Sequence, residues 1–311
     1  MSLFFLLACS LHSGEPLASA TPASAVSWVD STEYPFESHF LEVDGGRMHY
    51  VDVGTGPTVL LVHGTPMWSY LWRDLVRDLS TDHRVIAMDH IGFGLSDKPE
   101  DWSYTPEAHA ANIETLASAL DLHDVTLIVH DFGGPIGLKL ALDEPERISR
   151  LVVLNTWMWE PEPKLRRMGK FVASPIGKFL YVARNFSPRK IVPYATKGSP
   201  PWTDTGLAPY LGPFPTPETR TSTWRLGVSL DRSSTFFADE WEHRAALEDK
   251  PMLFVWGMAD PAFGDRLDRW TEAFPRAEVV RLEGVGHFIQ EEAPDQLRAA
   301  VRAFLAEPMI N

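Results

Sequence analysis

Two textures of apolar and polar positions alternate along the chain. TVLLVH (58–63), RVIAMD (84–89), VTLIVH (125–130), RLVVLN (150–155) and PMLFVW (251–256) are short continuous apolar runs, the character of strands buried on both faces. Between them, Tyr70 to Leu79, Pro106 to Leu120 and Pro135 to Leu142 predict helices, and Pro106 suits a first helical turn. Strands alternating with helices imply βαβ units. The predicted class is therefore α/β, a mostly parallel sheet with helices on both faces. Ahead of it, HFLEV (39–43) and RMHYVDV (47–53) alternate in polarity around Asp44-Gly45-Gly46 and predict a hairpin.

The alternation breaks after Asn155. From Trp157 to about Arg244 the chain carries many prolines and no convincing strand, and then PMLFVW resumes the sheet. Such an insertion reads as a helical lid over the sheet's carboxyl edge, where open α/β sheets bind ligands. The expected organisation is a core of residues 31–156 and 246–311, a helical cap of 157–245 and a leader or linker of 1–30. Leu3 to Ala8 is apolar and precedes Cys9, while Ser13 to Ser27 is rich in Ser, Ala and Pro. The expected location is cytoplasmic, with export or lipid attachment through Cys9 as the alternative. Lys164 to Lys197 is rich in Lys and Arg and reads as a solvated helical face.

The 311 residues, 44% of them hydrophobic, suffice for a large core. A net charge of −14 argues against nucleic-acid binding. One cysteine allows neither an internal disulfide nor a cysteine metal site. No stretch approaches the ~20 apolar residues of a membrane span. The expected partners are a small apolar substrate and water, with oligomeric state left open.

Four places carry candidate chemistry. Asp131 follows the strand VTLIVH and precedes Gly133-Gly134, the strand-turn-helix setting of a nucleophile, although an aspartate N-cap reads equally from these residues. His287, in GVGHFIQEEAPDQL after the strand-like AEVVRL (277–282), is the candidate base. Asp260, in WGMADPAFG after PMLFVW, is the candidate acid that orients it, with Glu160 the runner-up. In HGTPMWSYLWR (63–73), His63-Gly64 at a strand end lets the Thr65 amide turn inward, to form an oxyanion hole with that of Phe132. DHIGFGLSDKP (89–99) reads as a structural turn.

From Tyr34 to Leu305 the sequence resembles the haloalkane dehalogenases of the α/β-hydrolase superfamily. YPFES, HGTPMWSYLWR, DHIGFGLSDKP, HDFGGPIGL, LNTWMWEP, WGMADPAF and GHFIQEEAPD match in order and spacing. The acid after PMLFVW, with Asn155 at the alternative acid position, is similar to the Asp-His-Asp subgroups. The resemblance implies an α/β-hydrolase fold with a cap, catalytic Asp131, His287 and Asp260, and neither metal nor cofactor.

An aspartate is ionised at neutral pH and can displace a leaving group from a saturated carbon directly, giving an alkyl ester that base-activated water then opens. The expected reaction is hydrolysis of a carbon–halogen bond. The family places a halide-binding tryptophan after the nucleophile and often an asparagine at position 65. Here Phe132 and Thr65 stand there, leaving the Thr65 hydroxyl and Trp157 or Trp159 as donors. The alternatives are an epoxide hydrolase using lid tyrosines among Tyr181, Tyr194 and Tyr210, or a catalytically weak homologue.

Overall fold

The computed structural model describes residues 26–197 and 202–308. Residues 1–25 of the stretch read as leader, Cys9 among them, lie outside them. Trp28 and Val29, at the end of the stretch read as leader, pack into the fold: Trp28 meets the Trp68 ring edge-on at 5.4 Å, and Val29 is buried.

Eight strands form one sheet in the order β1-β2-β4-β3-β5-β6-β7-β8. They are β1 (His39–Val43), β2 (Gly46–Val53), β3 (Thr58–Val62), β4 (Arg84–Met88), β5 (Val125–His130), β6 (Ile148–Leu154), β7 (Met252–Gly257) and β8 (Glu278–Leu282). β2 pairs antiparallel with β1 and β4, and every other pairing is parallel. The continuous apolar runs have a direct cause. Successive strand residues point to opposite faces, and both faces are covered. Val59, Leu61, Ile128, Val152 and Val255 enter one core with Leu75, Val76, Leu297 and Val301 of helices α1 (Arg73–Leu79) and α12 (Pro294–Ala306). Leu60, Val62, Leu127, Val129 and Phe254 enter the other, with Ile113 and Ile136 of α2 (Pro106–Ala119) and α3 (Gly133–Asp143). Each such side chain contributes about 1.5–3 kcal/mol on burial, so both cores drive the layering.

The helix ends follow local chemistry. Pro106 opens α2 and the Thr105 side chain caps it by accepting the Ala108 N–H. The stretch Tyr70 to Leu79 differs from the single helix predicted: a 3₁₀ turn at Ser69–Trp72 leads into α1. Asp89 draws that turn in by accepting the Ser69 N–H at 2.7 Å, and it also accepts from Leu95 N–H and faces His49. The 89–99 stretch is thus a structural turn built on a buried carboxylate.

Between β6 and β7 the described chain is helical: α4 (Pro163–Ala173), α5 (Pro175–Lys178), α6 (Val192–Ala195), α7 (Asp204–Leu211), α8 (Thr221–Arg232) and α9 (Ser234–His243), with wide turns at Phe179–Ala183 and Ser187–Ile191. Prolines 163 and 175 sit in first turns, where the missing N–H costs nothing. Leu165, Gly169 and Val172 form the buried face of α4, which packs on α8. After β7 follow α10 (Leu267–Ala273), β8 and α11 (Ile289–Glu292).

Candidate active site

The parallel strands all deliver their carboxyl ends to one edge. β5 ends at His130, and Asp131 turns the chain at φ +52° before α3 begins. Aspartate is among the few non-glycine residues that enter this region readily. The turn leaves no room around it. A Cβ on Gly133 would lie 2.4 Å from the Val62 carbonyl oxygen, and one on Gly64 would lie 2.2 Å from Asp131 Oδ1. Gly64 is glycine because the carboxylate occupies the space a side chain would fill.

Asp131 is buried, and its two oxygens face different partners. The Thr65 amide donates to Oδ1 at 2.9 Å, and His287 Nε2 stands 3.4 Å from Oδ2. On the other side of the imidazole, Nδ1 lies 2.7 Å from Asp260 Oδ2. The structure therefore brings Asp131, His287, Asp260 and Thr65 together. Glu160 is not among them: it is exposed and pairs with Arg166 at 3.1 Å.

Asp260 is held from three directions. Its Oδ1 accepts the Ala262 N–H at 2.7 Å, and its Oδ2 accepts the Asn155 amide at 2.8 Å besides facing His287. Burial opposes its charge, yet His287 and these donors outweigh burial and hold the carboxyl below its ordinary range. For His287, burial likewise works against the charged ring, but Asp260 and Asp131 overcome it and raise its pKa to about 10. His130, under the Asp131 turn, lies with its ring tilted 40° and 4.5 Å from that of His287, and faces the His287 carbonyl oxygen through Nε2 at 2.9 Å. Burial, reinforced by the neighbouring His287 ring, lowers His130 to about 3, so it stays neutral. Asn155, at the alternative acid position read from the sequence, supports the site together with His130 and Thr156, whose hydroxyl donates to the Asp131 carbonyl. Only the positions of His130 and Thr156 at or just past strand ends set those two apart.

Above Asp131 lies a cavity of about 100 Å³, lined by Thr65, Asp131, Phe132, Trp157, Phe263, His287 and Phe288 from the sheet side and by Leu165, Met168, Tyr181, Ile191 and Leu230 from the helical insertion. The lining is mainly apolar. Phe132 meets the Trp157 ring edge-on at 4.8 Å. The Trp157 indole Nε1 and the Thr65 hydroxyl are buried and have no hydrogen-bond partner among the described residues. Trp159 differs, since its Nε1 donates to Glu162 at 3.0 Å. Of the three tyrosines weighed for ring-oxygen activation, Tyr181 alone lines the cavity. Tyr194 is exposed, and Tyr210 donates to Glu291.

Comparison with known proteins agrees with this architecture. The alpha/beta hydrolase fold family matches residues 57–294. Haloalkane dehalogenase 2 of Mycobacterium tuberculosis (strain H37Rv) is 34% identical over 276 residues, covering 88% of this chain and 96% of that protein. Cis-3-alkyl-4-alkyloxetan-2-one decarboxylase of Shewanella oneidensis (strain MR-1) is 34% identical over 287 residues, covering 89% and 90%. Among solved structures, haloalkane dehalogenase DatA from Agrobacterium tumefaciens C58 superposes with a TM-score of 0.79 at 25% identity, covering 89% of this chain and 99% of that one.

Proposed function

Because this chain belongs to the α/β-hydrolase family, among enzymes of the haloalkane dehalogenase type, we propose that it cleaves carbon–halogen bonds through an alkyl ester on Asp131. The observation that carries this reading is the pairing, in one apolar cavity, of a carboxylate with two unpaired buried donors. Asp131 Oδ2 attacks the halogen-bearing carbon, and the carbon–halogen bond breaks with its electron pair leaving on the halide. Trp157 Nε1–H and the Thr65 hydroxyl, which have no partner among the described residues, serve the departing anion. An unmet buried donor costs about 1–3 kcal/mol, so an anion that satisfies both is selectively stabilised.

The ester then reacts with water. His287 Nε2 takes the water proton as oxygen adds to the Asp131 carboxyl carbon, and Asp260 stabilises the imidazolium. The oxyanion develops where the Thr65 amide already donates to Oδ1, with the Phe132 amide as the second donor. Collapse frees the alcohol and restores Asp131 with one solvent oxygen. The high affinity of His287 for its proton suits this order of events. While Asp131 is charged the ring is protonated and idle; esterification removes that charge and the Asp131 hydrogen bond, which lowers the pKa and makes a base. In this reading residues 157–245 act as a cap that excludes water from the first step.

A second reading is favoured by the oxetanone decarboxylase relative. The same carboxylate could open a four-membered lactone at its saturated ring carbon, the released carboxylate meeting the same two donors. Loss of carbon dioxide with expulsion of Asp131 would then give an alkene.

The test uses His287→Phe with a short bromoalkane. The expected result is one bromide per site and an alkyl mass increment on the peptide containing Asp131. Absence of both overturns the proposal. Alkene and carbon dioxide from a dialkyl oxetanone, without halide release from any bromoalkane, would replace it with the second reading, and diol from an epoxide with the hydrolysis of epoxides.

A further inference from the structure

The helical insertion carries a charge pattern opposite to the rest of the molecule. Residues 163–197 hold nine of the chain's 28 Lys and Arg and none of its 42 Asp and Glu. Eight of the nine are exposed, and the ninth, Arg166, is half-buried. Arg166 is also the one that pairs with carboxylates, Glu160 at 3.1 Å and Asp231 at 3.8 Å; among the described residues the others form no ion pair. Two lie over aromatic rings instead, Lys178 at 4.7 Å from Trp224 and Lys197 at 4.5 Å from Tyr194.

The same segment carries the large exposed apolar side chains. Among the described residues all five fall here: Met168 (42% exposed), Phe171 (48%), Ile176 (66%), Phe179 (56%) and Tyr194 (66%). They are not slack in the packing. α4 already buries Leu165, Gly169 and Val172, and Gly169 lies so close to α8 that a Cβ would come 2.7 Å from the Asp231 amide. Phe171 and Met168 are what remains on the outer face. Met168 also lines the cavity above Asp131. Apolar side chains standing singly among unpaired cations, on three successive short helices and a turn, offer anchors rather than a groove for a partner helix. Rings and alkyl chains can enter the acyl boundary while the cations meet lipid phosphates.

We propose that the outer face of residues 163–197 docks the protein on an anionic lipid surface, with Met168 placing the mouth of the cavity against the bilayer. An apolar substrate dissolved in the lipid then reaches the site without crossing water. This inference does not depend on which bond the site breaks. It also gives the concentrated cations a role: with nine of the 28 Lys and Arg in this segment, the rest of the chain holds 19 against all 42 Asp and Glu, so an anionic surface repels the rest of the protein overall and attracts this face.

The full chain is sedimented with vesicles of phosphatidylcholine alone and of phosphatidylcholine with phosphatidylglycerol in equal parts, at low and high salt. Two triple variants are compared, Lys170→Glu/Arg189→Glu/Lys190→Glu and Phe171→Ser/Ile176→Ser/Phe179→Ser, each checked for an unchanged thermal midpoint. The expected result is binding to the anionic vesicles only, lost at high salt, and weakened at least about tenfold by the charge-reversed variant. The serine variant weakens binding that remains at low salt. No binding of the parent to anionic vesicles overturns the proposal. So does binding by both variants equal to the parent, which would place the anchor elsewhere in the chain. Binding to a polyglutamate column but not to vesicles would reassign the face to an acidic protein partner.

Discussion

Asn155 ties the acid to the sheet. Its amide donates to Asp260 Oδ2 at 2.8 Å and to the Gly257 carbonyl at 3.0 Å, while its Oδ1 accepts the Gly257 N–H at 2.7 Å. It sits at the end of β6 with φ +22°, a region asparagine tolerates. Asn155→Asp keeps the shape but replaces the donor by a second carboxylate beside Asp260. The expected outcome is a 10- to 100-fold fall in ester hydrolysis, from the loss of one hydrogen bond to a charged group. The first-turnover burst of halide should be nearly unchanged, because Asp131 attacks without Asp260. Rapid-quench measurement of burst and steady state separates the two; an equal loss in both would mean that Asn155 only holds the fold.

Trp157 and Phe132 meet edge-on at 4.8 Å and, in the proposed reaction, share the leaving-group side. Trp157→Phe keeps the ring that stacks on Phe263 at 5.1 Å but removes the indole N–H. The expected change is a 10- to 100-fold fall in kcat/KM for bromoalkanes, expressed in the burst rate and not in ester hydrolysis. Phe132→Trp is expected to act in the opposite direction, adding a donor next to the nucleophile. A Trp157→Phe enzyme with an undiminished burst would assign this indole to packing alone.

The strands were legible from the sequence because burial on both faces leaves an unbroken apolar run, as in VTLIVH, which is β5 residue for residue. Asp131, Asp260 and His287 were legible as candidates because each follows a strand-like run, and parallel strands bring their ends to one edge. The insertion was less so. Its prolines and lack of strands marked it as helical without showing where each helix begins: Pro163 and Pro175 open α4 and α5, and α5, at four residues, is too short for a 3.6-residue period to emerge. The difference between Trp157 and Trp159 was invisible, since it depends on Glu162 reaching one indole and none of the described residues reaching the other. Asn155 stood at a recognised position, but a side chain that bridges β7 and Asp260 over 102 and 105 residues of sequence leaves no local trace.

The proton on His287 sets a pH dependence. Between the ordinary imidazole value of 6.5 and about 10 the ring is charged in the folded resting protein and neutral in the unfolded chain. Its contribution to stability is complete below 6.5, and it is lost as pH rises through about 10. For catalysis, the burst is expected to stay flat across that interval, since Asp131 needs no base. Ester hydrolysis is expected to rise with pH at a midpoint below 10, because Asp131 is then uncharged. A hydrolysis midpoint at or above 10 would show that esterification does not release the base. His287→Gln should abolish the rising limb and leave the burst.

Glu240 sits on α9 with 1% of its surface exposed, and neither carboxyl oxygen has a partner among the described residues. Burial raises its pKa well above the ordinary 4.5. Lys139 opposes the shift, while Asp143, Asp239 and Glu107 reinforce it. Lys139 is itself engaged by Asp143. Glu240 therefore keeps its proton to higher pH in the folded protein than in the unfolded chain. Below 4.5 both folded and unfolded chains carry the proton, and the residue costs nothing electrostatically. As pH rises the unfolded chain ionises and the folded one does not, so stability falls until pH passes the folded value. Glu240→Gln keeps the shape of the protonated side chain and removes the titration. The variant is expected to be more stable than the parent at neutral pH, with a gap in Tm that closes toward acid and widens toward alkali. Thermal unfolding of both proteins across that range checks the sign, and a gap independent of pH would mean that Glu240 is ionised in its buried position.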